Sequence, residues 1–420
     1  MEYISSKNIV LLICDTLKLL DRTLIEHGER TAYIVYKMLE AEGSYELFEI
    51  ADYAFLAMIH DMGAYKTEKM EDLILFETKN YMPHSIYGYL FLKYLSPLEK
   101  ESKILLYHHI NCEDYHEIDY PLLQIASYIY LADRLDIYHQ SLGDSFSIEM
   151  LKKYEGTRYT HEAITLLEKA MESNQIISKL NDRSHLGELD ELFDYIMFNN
   201  DDKKKYLDML MQCKGLQNEK AVMETMICSC IAEEMGKKMY LTAEEMGNLY
   251  YGVLTHDIGM LAVPEEILHL PRKLTEEEMK IVRNHITMEE KILRVRLRES
   301  VADIAVAHHE RADGSGYPKG LHDKDMNDSQ RILQLADSVT AMISNRKHRK
   351  ALKKEEVLKN IEAEVIKGHY NRRTALVFTE NYDVIMEKVM GKTEHLLEMN
   401  KKLDAQFQSA IARQKHLEEQ

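Results

Sequence analysis

Residues 54–63 read AFLAMIHDMG, and residues 249–259 read LYYGVLTHDIG. Each is an apolar helical run that stops at His-Asp-x-Gly. Working outward from either copy, the same residue types follow in the same order. A lone histidine comes next (His84; His285), then a histidine pair closing another apolar run (His108-His109; His308-His309), then Leu-Ala-Asp in a further helical segment (Asp133; Asp337). Corresponding residues lie 196, 201, 200 and 204 positions apart. Four features in one order at nearly one offset identify a tandem duplication. An isolated His-Asp dipeptide has no such force, and a third one, His322-Asp323, belongs to neither copy.

The rest of the composition fits a helical reading. The chain has 420 residues, room for two or three domains. Hydrophobic residues are 45% and charged ones 30%, which excludes global disorder. Only 17 glycines and 6 prolines break the chain, and abundant Leu, Met, Glu and Lys favour helix, so an all-α protein is expected. Lys and Arg number 53 against 71 Asp and Glu, a net charge of −18, which argues against polymeric nucleic acid or an anionic membrane as partner. No run approaches the ~18 apolar residues of a membrane span. Residues 9–20 are partly apolar, but no basic segment precedes them, so no targeting segment is expected. Five scattered cysteines, with Cys228-x-Cys230 lacking a second pair to close a zinc knuckle, read as reduced thiols in a cytoplasmic protein.

The repeated residues carry chemistry. Imidazole and carboxylate together suit Fe, Mn, Zn and similar ions, whereas all-oxygen sets suit Ca or Mg. An aspartate beside a histidine has two oxygens and can face two ions. Two ions a few ångströms apart can clamp a phosphate and acidify a water, which points to phosphoester hydrolysis.

These residues resemble the HD superfamily of metal-dependent phosphohydrolases, and the second half resembles its HD-GYP branch. HHERADGSGYP (308–318) is similar to that branch's signature over its whole length, and LQLADSVTAM (333–342) and SNRKHRKAL (344–352) fall where the family has its later motifs. The resemblance covers residues 216–370 strongly and 20–140 more weakly. It implies tandem helical bundles, two divalent ions (iron or manganese) per competent site, and hydrolysis of cyclic di-GMP or cyclic GMP-AMP. Carried over residue by residue, it implies a first-half ligand set of His27, His60, Asp61, His84, His108, His109 and Asp133, with Asp61 bridging. In the second half it implies His256, Asp257, His285, His308, His309 and Asp337. Asp61 and Asp257 become the catalytic aspartates. Gly316, Tyr317 and Pro318 of the loop, with Arg346 and Arg349, become substrate-binding residues.

Each half departs from the family pattern. HHINCEDYHEIDYP (108–121) lacks the Gly-Tyr-Pro loop. In the second half, matching Gly236 to Gly43 places the early histidine near Lys220, where no histidine occurs, leaving Glu219 or Glu224 as substitutes; Met260 replaces the family's lysine after HDxG.

Three segments are expected: an HD-type domain without the loop at 1–200, an HD-GYP domain at 201–390, and a C-terminal helix at 391–420. The polar run NNDDKKK (199–205) is the boundary candidate. Ile164, Leu167 and Met171 at helical spacing predict an amphipathic helix between. Thr275 before three glutamates predicts an N-cap, with His285 at the far end of that helix. Leu396, Leu403, Ala410 and Leu417 recur every seven residues, so the tail either packs back on the bundles or pairs with a second chain. Besides a phosphodiesterase, two readings stay open: a catalytically weak cyclic-dinucleotide receptor or signalling scaffold, and a nucleotide phosphohydrolase.

Overall fold

The computed structural model describes residues 3–67, 82–216, 218–268, 270, 272–345 and 350–418. Among them every regular element is helical, as expected, and the two isolated bridges, Glu155 with Tyr159 and Asp313 with His322, sit in turns. No helix among the described residues is long and apolar enough to cross a membrane, and all five cysteines are free thiols. Two compact units result. One comprises residues 9–209 and 401–418, the other 3–8 and 210–400.

The first unit is organised by helix Arg22–Glu42. The Asp21 carboxylate accepts the Leu24 N–H at its start, and Gly43 ends it in the left-handed region at φ 80. Its buried residues, among them Ile25, Gly28, Val35 and Leu39, pack on Leu47–Met58, Leu123–Leu142 and His161–Asn174. Gly28 is needed for that approach, because a Cβ there would stand 2.1 Å from the Met58 carbonyl oxygen. The contact fixes the helix beside the His60-Asp61 turn. Ile164 and Leu167 are buried against this unit's core.

Residues 199–205 are the opening of a helix rather than an extended linker. The Asn199 side chain accepts the Asp201 and Asp202 N–H groups and starts Asn200–Cys213. Compactness divides the chain a little later, between Met209 and Leu210.

In the second unit, helices Glu219–Lys238, Ala243–Thr255 and Asp328–Ile343 enclose Ile231, Met235, Val253, Leu333, Ala336 and Val339. Thr275 caps Glu276–Arg296 as predicted: its hydroxyl accepts the Glu278 N–H, and the Glu278 carboxylate accepts the Thr275 N–H in return. His285 lies in the middle of that helix and not at its far end, because the helix continues to Arg296. The tail belongs to one helix, Tyr382–Glu418, that starts before residue 391. Leu396 and Leu403 are buried within the chain, and Phe407 meets Tyr87 edge-on with ring centroids 5.5 Å apart. Through these residues the tail packs back on the chain.

Candidate metal centres

The first-half ligand set gathers from five elements. His27 projects from Arg22–Glu42, and His60 and Asp61 follow Leu47–Met58. His84 opens Met82–Leu95, His108 and His109 follow Ser102–Tyr107, and Asp133 lies in Leu123–Leu142. One ligand atom from each of Asp61, His84, His108 and His109 falls within 4.8 Å of the others, and so does one from each of His27, His60 and Asp133. The Asp61 carboxylate joins the two groups. Its Oδ1 is 3.4 Å from both His84 Nε2 and His108 Nε2, and its Oδ2 is 3.2 Å from His60 Nε2 and 3.8 Å from His27 Nε2.

Backbone and carboxylate partners aim the rings. His60 Nδ1 meets the Ala57 carbonyl at 2.8 Å, His108 Nδ1 meets Leu105 at 2.7 Å, and His27 Nδ1 meets Asp136 at 2.7 Å. Each Nε2 is thereby turned inward. His27 Nε2, His60 Nε2, His108 Nε2, Asp61 Oδ1 and Asp133 Oδ1 are buried without a hydrogen-bond partner. Such orphaned atoms are costly, and here they converge. A divalent cation in each group would satisfy them, so the residues fit the metal that the resemblance implies.

The electrostatics favour an ionised bridging carboxylate, while Asp133 and Asp136 outweigh burial and hold His27 up at about 10. Burial pushes the Asp61 carboxyl up, but His60 and His108 outweigh burial and hold it well below the usual range. Burial and neighbouring imidazoles keep His108 and His109 below theirs, as ligands require. Asp136 also receives two hydrogen bonds from Arg30, at 2.6 and 2.9 Å, which fixes the carboxylate behind His27. A cavity of about 200 Å³ opens onto this side, lined by His27, Arg30, Asp61 and Asp136.

The second half builds a similar centre on different support. One group contains Asp257, His285, His308 and His309, and another His256, Asp257 and Asp337, each within 4.8 Å. Asp257 Oδ1 is 3.3 Å from both His285 Nε2 and His308 Nε2, and its Oδ2 is 3.9 Å from His256 Nε2. The Nδ1 atoms of His256, His285 and His308 meet the carbonyls of Val253, Val282 and Ala305 at 2.5–2.6 Å.

Two supports here escaped sequence reasoning. Asp257 is in the left-handed region at φ 64, and its N–H donates to Glu289 Oε2 at 2.8 Å. Glu289 is fully buried, and burial pushes its carboxyl up to about 8. It follows His285 by one helical turn, the place Gly88 holds after His84. The other support is Lys214, whose buried Nζ donates to Thr225 Oγ1 at 2.9 Å and to the His256 carbonyl at 2.8 Å.

Matching the left-handed Tyr240 to Gly43, and buried residues to buried residues, sets Glu224 opposite His27. Lys220 is exposed and pairs with Glu224 at 3.3 Å, and Glu219 is exposed, so the expected neighbourhood of Lys220 is corrected by one helical turn. Glu224 lines a cavity of about 140 Å³ with His256, Asp257 and Asp337, and its buried Oε1 is the atom that faces Lys220 Nζ.

The 308–318 loop closes over this centre. Gly314 has φ 80, and a Cβ on Gly316 would stand 2.3 Å from the Arg311 nitrogen, so both positions demand glycine. The buried Glu310 carboxylate accepts the Lys319 and Leu321 N–H groups, and the Tyr317 N–H donates to the His309 carbonyl at 3.1 Å. The Tyr317 ring thereby lies against His309, with centroids 4.8 Å apart and planes 33° apart. Pro318 follows it at the surface. Arg346 and Arg349 lie outside the described residues.

A helical bundle that turns buried imidazoles and carboxylates onto shared points defines a metal-site domain. Residues 208–374 match the HD domain family model, and the loop at 308–318 within them carries the residues of the HD-GYP signature. Among curated proteins, the chain is 28% identical over 394 residues to a 3'3'-cGAMP-specific phosphodiesterase of Vibrio cholerae, covering 85% of this chain and 87% of that one. A cyclic di-GMP phosphodiesterase of Thermotoga maritima is 38% identical over 136 residues, 32% of this chain and about a third (36%) of that one. The crystal structure of a cyclic GMP-AMP-specific phosphodiesterase of Vibrio cholerae shares the fold, with a TM-score of 0.58 at 15% identity, over 91% of this chain and 98% of the other.

Proposed function

We propose that the protein is a metal-dependent phosphodiesterase that opens a cyclic dinucleotide, cyclic di-GMP or cyclic GMP-AMP, in bacterial signalling. The observation that carries this reading is the Tyr317 ring against His309, which sets the loop directly on the Asp257 cluster. Two divalent ions per competent site, iron or manganese, would be held by His27, His60, Asp61, His84, His108, His109 and Asp133 in the first half. In the second half His256, Asp257, His285, His308, His309 and Asp337 would hold them, with Glu224 in the place of the early histidine. When bound, such ions supply charge neutralisation at phosphorus and acidify water. The chain's own part is to aim Nε2 atoms, shelter the centre from bulk water and seat the substrate on the 308–318 loop, with Arg346 and Arg349 on its phosphates. Free thiols support a reducing, cytoplasmic setting.

A second reading rests on the complete first-half set, which has no Gly-Tyr-Pro loop over it and would then act on a smaller phosphoester. Asp61→Ala and Asp257→Ala chains, loaded with Mn and given either dinucleotide, separate the two. Chromatography of the products should show at least about a 100-fold loss in Asp257→Ala. Full activity in both single variants sinks the phosphodiesterase reading, and loss confined to Asp61→Ala moves the chemistry to the first half.

A further inference from the structure

Two arginines stand beside Tyr317 with no carboxylate paired to them among the described residues. Arg283 is exposed on Glu276–Arg296, two residues before His285, and its guanidinium lies 5.1 Å over the Tyr317 ring. Arg311 is exposed in the loop itself, and one of its terminal nitrogens is 3.3 Å from His369 Nε2. His369 Nδ1 in turn faces Glu364 at 2.5 Å; as the donor there, it leaves Nε2 to accept from Arg311. Arg311 is therefore held by one N–H while its other donors stay available. In a chain with 71 acids against 53 bases, unpaired guanidinium groups are not the default. Elsewhere Arg30, Arg294 and Arg331 each pair with an aspartate.

The first half supplies the contrast. There Tyr130 packs edge-on to His109, with centroids 5.6 Å apart, and the Arg134 guanidinium lies 5.9 Å over Tyr130. The trio of histidine, tyrosine and arginine is the same, but Arg134 Nε donates to Asp133 at 3.1 Å, so its charge is already answered.

A cyclic dinucleotide has two phosphodiesters, and only one can occupy the ligand cluster at a time. We infer that Arg283 and Arg311 clamp the other phosphodiester, with Tyr317 between them as the platform that orients Arg283. This rests on the phosphodiesterase reading of the same centre. A guanidinium stacked on a ring keeps its edge N–H groups free, and those edges match two phosphate oxygens. Lysine provides the charge without the fork.

The test measures binding apart from turnover. The metal-loaded full chain and its Arg283→Ala, Arg311→Ala and Arg283→Lys variants are titrated with cyclic di-GMP carrying phosphorothioates at both phosphates, a hydrolysis-resistant probe. Each alanine variant is expected to raise Kd at least about tenfold, with Arg283→Lys recovering part of the loss. A Kd within about twofold of the parent in both alanine variants overturns the clamp, and so does a parent chain that does not bind the probe. Hydrolysis of unmodified cyclic di-GMP and of cyclic GMP-AMP is followed in parallel. A chain that binds the probe through both arginines but cleaves nothing keeps the clamp and refutes the phosphodiesterase reading.

Discussion

At the scale of single residues, the two centres are unequal in what holds their bridging aspartates. Asp257 has φ 64 and gives its N–H to Glu289, whereas Gly88 stands at the corresponding place behind Asp61. Glu289→Ala leaves the part-buried N–H of the left-handed Asp257 unanswered, and is expected to lower stability by about 1–3 kcal/mol. Glu289→Gln keeps an acceptor of the same shape and should stay within about 0.5 kcal/mol of the parent. Urea midpoints of the two variants check this; equal losses would mean that the side chain's volume matters and not its hydrogen bond. The ligands themselves were legible in the sequence because they repeat. Glu289, Lys214 and Asp136 were not, since each does its work in one half only and has no counterpart to mark it. Glu224 was legible as a substitute but not as the right register, because burial along Glu219–Lys238 fixes the pairing and a glycine match does not.

At the scale of elements, helix Glu276–Arg296 does three separate jobs with its middle turns. It carries His285 to the cluster, Glu289 to the Asp257 backbone and Arg283 to Tyr317. Its start is set by the reciprocal bonds of Thr275 and Glu278. Thr275→Ala is expected to cost about 0.5–2 kcal/mol and to loosen the first turns, which raises the thermal fluctuation of Arg283 before that of His285. Hydrogen exchange along the helix reads this directly: protection should fall from Thr275 towards Arg283 and persist at Glu289. Uniform loss along the helix would contradict it. Cap and helix were readable from Thr-Glu-Glu-Glu, but length was not. No glycine or proline stops the pattern after His285, so the helix runs on to Arg296 and the histidine is central. Tyr382–Glu418 likewise begins earlier than its seven-residue spacing implied, because the helix runs straight through Gly391.

At the scale of the whole molecule, acidity and cation binding coexist. The chain's net charge is −18, while the first centre holds buried imidazole and carboxylate atoms left unsatisfied and the second gathers the same residue types around Asp257. An ion that binds only the folded state stabilises it by about 2.7 kcal/mol per site at one hundred times its dissociation constant. Chelator treatment is therefore expected to lower the thermal midpoint by several degrees, and added Mn to restore it. A midpoint indifferent to both would show that neither centre holds an ion. If only Asp61→Ala or only Asp257→Ala abolishes the response, that half is the tighter site.

The division of the chain also has a consequence for its synthesis. The unit that begins at residue 9 takes its last helical turns from residues 401–418, where Leu403 is buried and Phe407 meets Tyr87. A ribosome makes this protein from the other end. For the interval in which residues 210–400 are being made, the earlier bundle waits with the seat of Leu403 and Phe407 open, at risk of being filled by the wrong apolar segment. The unit that holds most of the chain's first half is completed only by its last helical turns.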